Sequence, residues 1–184
     1  MKLSVRDLAQ GLLRPFKLKI SRILTEDEIR AGSIEAGLEN LTWLKSYEIK
    51  TVLDIGANTG QFAEKARRLF PGAKIYSFEP LASCYQALIG YFEGVEGFQA
   101  FNFALGDRSG EAEIFCCDYS PSSSMLPMGE VHKAAFPYTK DQTVQKIQIR
   151  RLDDLADQLE LRRPLLVKMD VQGFEDRVIA GGLA

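Results

Sequence analysis

Four acidic residues and one glycine-spaced turn are the groups in this chain best suited to chemistry. Asp54 sits inside VLDIGANTG (Val52 to Gly60), where a short apolar run passes into a loop of small residues. Glu79, Asp107 and Asp170 close the runs KIYSFE, FALGD and PLLVKMD. In open parallel sheets, ligands bind beyond the carboxyl ends of the strands. Four acids at successive strand ends therefore describe a crevice rich in hydrogen-bond acceptors, although any one of them serves equally well as a helix cap.

The spacing of the turn selects among ligands. A dinucleotide loop reads G-x-G-x-x-G, its glycines admitting a pyrophosphate. Here Gly56 is followed by Asn58 and Gln61 at the two later glycine positions, and Gly60 falls one residue early. No Gly-Lys-Ser/Thr follows, so a phosphate-cradling P-loop is excluded as well. What remains is D-x-G-x-N-x-G, which suits S-adenosylmethionine: a sulfonium, an amino-acid end and a ribose, but no phosphate. In that reading Asp54 supports the turn and the ammonium side, Asn58 places an amide at its centre, and Gly56 and Gly60 let backbone approach the methionine moiety. Glu79 accepts from the ribose hydroxyls, as acids do at a similar distance in nucleotide folds, and Asp107 accepts from the adenine amino group.

Methyl transfer to oxygen requires an aligned alcohol and a group to take its proton. Asp170 is the candidate base or orienting acceptor; capping the following helix is its equally good structural role. Gln172 and Glu175 are candidates for orienting the acceptor, with Glu175 also suited to stabilising a first helical turn. Enzymes acting on planar nitrogens share an Asn/Asp-Pro-Pro-aromatic turn at this place, and DVQGF has no proline, which favours oxygen. Histidine's unperturbed pKa lies near neutrality, which makes His132 a candidate general base, but it sits in a polar loop beside Lys133. Ser123 and Ser124 suit hydrogen bonding to a sugar, or a lid without contact. Lys168 is read as lending its aliphatic stem to the sheet. Arg150 and Arg151 suit contact with an anionic substrate or pairing with Asp153 and Asp154, and pairing is the favoured reading.

These groups need a scaffold, and the alternation of patterns supplies one. Ile34 to Lys45 reads as a helix, TVLDIG as a buried strand, and NTGQFAEKARRLF as a helix stopped by Pro71-Gly72. KIYSFEP is a second strand, LASCYQALIGYF a second helix and GFQAFNFALGD a third strand. SGEAEIFCCD and KIQIRRL are strands flanking the loop Tyr119 to Gln142, which forms a hairpin insertion. RLDDLADQLEL starts a short helix, PLLVKMD is an apolar strand, and GFEDRVIAGG is helical. Strands alternating with helices predict an α/β fold, a mostly parallel sheet with helices on both faces. Residues 1–45 are expected to form an N-terminal helical segment and 46–184 the cofactor domain.

Composition narrows the function further. Of 184 residues, 23 are Lys or Arg and 25 Asp or Glu, a balance that gives no field for nucleic acid. One histidine and three cysteines without C-x-x-C spacing argue against a metal site or disulfide framework and point to a reducing cytoplasm. No apolar run reaches the ~20 residues of a membrane span. Residues 1–24 do carry six basic residues against Asp7, with apolar residues at helical spacing. That segment either packs as a helix or touches an anionic membrane surface.

LDIGANTGQFA, YSFEP, NFALGDRSGEAEIF, RLDDL and VKMDVQGFEDRVIAGG together resemble the FkbM family of S-adenosylmethionine-dependent methyltransferases, in order from Val52 to Gly182. The resemblance implies a Rossmann-like class I methyltransferase fold and methylation of hydroxyls on sugars, glycans or other secondary metabolites. It supports Asp54, Gly56, Asn58, Gly60, Glu79 and Asp107 as cofactor contacts and places Asp170 beside the transferred methyl. A class I sheet continues with further C-terminal strands, which are expected to be missing here. The strand LLVKM would then lie at an open edge, to be covered by a partner such as a second copy. A truncated, non-catalytic binding module is the alternative function.

Overall fold

The computed structural model of the protein describes residues 25–117 and 142–183. The basic segment 1–24, with its expected helices and membrane contact, lies outside them. So do Ser123, Ser124 and His132. The chain divides into two compact units, Met1–Ser33 and Ile34–Ala184. Of the first, the described residues are the opening of helix α1 (Glu26–Glu39). Thr25 and Glu28 begin that helix with reciprocal side-chain-to-backbone bonds, Glu28 N to Thr25 Oγ1 at 3.3 Å and Thr25 N to Glu28 Oε2 at 3.0 Å, the capping-box arrangement.

The second unit is built on a four-stranded parallel sheet in the order β3-β2-β1-β7. Its strands are β1 (Thr51–Ile55), β2 (Lys74–Phe78), β3 (Phe98–Phe101) and β7 (Leu165–Met169). Helices α2 (Gln61–Leu69), α3 (Ala82–Tyr91) and α4 (Glu175–Ala180) connect or follow them. β1 is buried at every position because it is central and covered on both faces; hence its near-continuous apolar sequence. Alternate residues feed separate cores: Val52 packs with Ala63, Ala66 and Leu88, while Leu53 and Ile55 pack with Tyr76, Phe78 and Val178. α2 turns Ala63, Ala66 and Leu69 to the sheet, the spacing of one helical face. Leu44, in a 3₁₀ turn (Thr42–Tyr47), and Ile49 also join the Val52 core.

The run GFQAFNFALGD is divided rather than continuous. β3 ends at Phe101 and a short strand β4 (Ala104–Leu105) begins a second sheet of order β4-β6-β5. Asn102 causes the break: its side-chain amide donates to the carbonyls of Glu79 (2.9 Å) and Pro80 (3.0 Å), taking the chain out of the ladder. β5 (Gly110–Cys117) and β6 (Gln142–Arg150) pair antiparallel and form the expected hairpin, with β6 parallel to β4. RLDDLADQLEL yields only a 3₁₀ turn at Ala156–Gln158. Arg151 pairs with Asp153 at 2.6 Å as expected, whereas Arg150 lies over the Phe103 ring at 4.7 Å. Among the described residues β7 pairs only with β1, and Val167 is 40% exposed.

Candidate active site

Three strand ends converge on one cavity of about 370 Å³, within the size range of small-ligand pockets. Its lining includes Gly56 and Asn58 after β1, Glu79 after β2, Lys168 on β7, and Asp170 and Gln172 beyond it. Backbone bonds tie these exits together. The amides of Gly56 and Ala57 donate to the Phe78 carbonyl (3.0 and 3.1 Å), and the Asp170 amide donates to the Ile55 carbonyl (3.0 Å). The loop leaves β1 through left-handed conformations at Gly56, Asn58 and Gly60. Asn is among the few side chains that tolerate such geometry, and its Oδ1 accepts from the Thr59 amide at 2.7 Å.

The two glycines of the turn have different reasons for being glycine. A Cβ on Gly56 would lie 2.2 Å from the Asp170 carbonyl oxygen, so Gly56 permits the close approach of β1's exit to that of β7 beside the cavity. A Cβ on Gly60 would lie 2.6 Å from Leu88 Cδ1 and 2.7 Å from Phe92 Cε2. Gly60 thus faces the packing of α2 on α3, and the cavity lining does not include it.

The acids also divide. Glu79 is 5% exposed, and its two carboxylate oxygens accept from the backbone amides of Asn58 (2.8 Å) and Leu81 (2.9 Å). Burial raises its pKa above the ordinary carboxylate value while those two amides pull it down. Each oxygen retains a second lone pair for a ligand hydroxyl. Asp54 is completely buried and lies behind the cavity, with Lys168 between, its Nζ 3.1 Å from Asp54 Oδ1. Burial raises the Asp54 pKa, Lys168 opposes the rise, and Asp170 adds to it. Asp107 lies away from the cavity lining and pairs with Arg177 of α4 at 2.6 Å; that hydrogen bond holds its carboxyl below the ordinary value.

Beyond β7, Asp170 and Gln172 are exposed to the cavity, and Gln172 Nε2 donates to Asp170 Oδ1 at 3.0 Å. Gln172 has φ +55°, a costly conformation for a side chain of its kind. Glu175 accepts from the amides of Val171 (3.2 Å) and Gly173 (3.4 Å). It thereby ties down the loop that leads into α4, and it is absent from the lining. Lys168, read from sequence as lending its stem to the sheet, instead sets its ammonium against Asp54 and the Gly56 carbonyl. Its neighbours in LLVKM read as sheet, and only the register of β1 with β7 reveals that Lys168 lies opposite Asp54. Among the described residues no group of three or more His, Cys, Asp or Glu is placed to hold a metal, and no helix is long and apolar enough to cross a membrane.

The chain matches the signature of the methyltransferase FkbM domain over residues 54–184. The 2-O-methyltransferase NoeI of Sinorhizobium fredii is 29% identical over 188 residues, covering 96% of this chain and 75% of NoeI. Methyltransferase sdnD of Sordaria araneosa is 27% identical over 153 residues, covering 71% of this chain and 59% of its own length. Among solved structures, coclaurine N-methyltransferase bound to N-methylheliamine and SAH aligns with 45% of this chain and 24% of its own, at 12% identity and a TM-score of 0.34.

Proposed function

The chain belongs to the FkbM methyltransferase domain family, and from that premise we propose that it transfers a methyl group from S-adenosylmethionine to a hydroxyl oxygen of a sugar, glycan or related metabolite. One observation carries the reading: a glycine turn, a buried ribose-competent carboxylate and an exposed carboxylate line the same cavity at adjacent strand ends. The fit to the cofactor rests on this donor and acceptor set. Gly56 and Asn58 offer backbone and an amide to the amino-acid end, Glu79 offers free lone pairs to hydroxyls, and Ile55, Phe78 and Leu105 offer apolar surface. When bound, the cofactor supplies an electrophilic methyl on a sulfonium.

The remaining work falls to this chain's own residues. Asp170 would accept the proton of the acceptor hydroxyl as that oxygen takes the methyl carbon and the carbon–sulfur bond breaks, leaving the thioether, and Gln172 holds that carboxylate by its hydrogen bond to Oδ1. Closing the acceptor into the cavity aligns the oxygen and excludes water. NoeI, a 2-O-methyltransferase by name, favours acceptors with a free 2-hydroxyl as the first to try.

The test pairs calorimetry with S-adenosylhomocysteine and transfer of labelled methyl to a panel of glycosides. Wild type should bind the homocysteine product and label an acceptor at oxygen. Asp170→Asn should lower kcat about 10²- to 10⁴-fold, the usual worth of a general base, with product affinity kept within a few-fold. Absence of product binding would sink the proposal. Binding without transfer to any acceptor would leave a non-catalytic binding module instead.

A further inference from the structure

β1 and β7 run parallel in register, with Asp54 opposite Lys168. Residues paired in this way project from the same sheet face, here the face covered by α2. The Lys168 ammonium lies 3.1 Å from Asp54 Oδ1, donates to the Gly56 carbonyl at 2.7 Å and approaches the Ile55 carbonyl at 3.5 Å. Phe62 of α2 stands over it, ring centre 5.9 Å away. Asp54 has no exposure; the Lys168 ammonium is its ion-pair partner and the Ala63 amide of α2 faces it. Its charge is therefore met chiefly by one cation, and that cation lines the cavity while Asp54 does not.

We propose that Lys168 is a positioning residue for methyl transfer: with Asp54 as counter-ion, it clamps the Ile55 and Gly56 carbonyls and fixes the floor of the cofactor's amino-acid end relative to Asp170. The inference rests on the S-adenosylmethionine reading of the cavity. Its physical basis is that a buried carboxylate stays ionised only beside a compensating charge. Without Lys168, the site is left with Asp54 either protonated or pulling the loop toward water. Cofactor binding then becomes linked to the protonation of Asp54.

Several groups surround Asp54. Lys168 and Asp170 come from β7 and its exit, and Glu79 from the exit of β2. The uncharged Ser77 lies opposite on β2, and the Ala63 amide faces it from α2. The two neighbouring carboxylates both favour protonation of Asp54 once the lysine is gone.

S-adenosylhomocysteine affinity, measured by calorimetry between pH 5.5 and 8.5, tests the clamp. Lys168→Met should bind at least tenfold more weakly than wild type at pH 8.5, with the deficit shrinking as pH falls and Asp54 takes up its proton. Asp54→Asn/Lys168→Met, which removes both charges, should recover most of the affinity and lose the pH dependence. A purely structural lysine would give a pH-independent loss with no recovery in the double variant; that result overturns the proposal, as does unchanged affinity in Lys168→Met. Should Lys168→Met fail to fold, Asp54→Asn decides. Loss of the counter-ion should weaken binding several-fold, and wild-type affinity there overturns the clamp. Lack of wild-type binding removes the cofactor reading and the clamp together, whereas intact wild-type binding with unaffected variants removes the clamp alone.

Discussion

At the residue scale, the same amino acid does opposite things at Gly60 and Gly90. Gly60 has φ +87° and no room for a Cβ against Leu88 and Phe92. Gly60→Ala should therefore lose about 1–3 kcal/mol through left-handed strain and overpacking. Gly90 lies within α3, where an added Cβ would meet nothing within 4 Å. Gly90→Ala, in the last turn of that helix, should gain about 0.4–1 kcal/mol by restricting the unfolded chain. Urea unfolding of the two variants should move the midpoint in opposite directions. Both glycines are visible in the sequence, but their roles are not, because the atoms that decide them belong to other elements.

At the element scale, Glu79 joins the exit of β2 to the turn after β1 and to the start of α3. Its oxygens satisfy two backbone amides that no strand partner reaches. Glu79→Gln keeps one acceptor and sets an NH₂ against the other amide, a loss of about 1–3 kcal/mol for a buried donor. The pH dependence carries a sign. Burial raises the folded-state pKa of Glu79. As pH climbs from the ordinary glutamate value of about 4.3, the native state retains a proton that the unfolded chain has released. Stability from this group therefore falls with rising pH and levels off above the folded pKa. Gln does not titrate, so the stability advantage of wild type over Glu79→Gln should shrink as pH rises from 4. Urea unfolding of both proteins at a series of pH values reads this directly, and an advantage that grows with pH would refute the raised pKa.

For the whole molecule, stability depends on a central strand covered on both faces. Leu53 is 1% exposed within the core shared by β2 and α4. Leu53→Ala should cost about 2–5 kcal/mol, a large part of the 5–15 kcal/mol typical of a folded domain. Val167, on β7 and 40% exposed, is at the other extreme, and Val167→Ala should change unfolding free energy by less than about 1 kcal/mol. The contrast, read by urea unfolding, checks that the described sheet is centred on β1 with β7 at its edge.

The sequence alone determined the order and type of most elements, because strand and helix periodicities are local and the turns between them carry their own Gly, Pro and Asn. It also placed Gly56, Asn58, Glu79, Asp170 and Gln172 together, since parallel strands must present their carboxyl ends at one edge. Tertiary structure alone decided which acids face the cavity. Asp54 is turned inward against Lys168, Asp107 is drawn to Arg177 seventy positions away, and Gly60 answers to α3. Each outcome depends on register between strands or on a neighbour distant in sequence, and neither is encoded in the residues beside it.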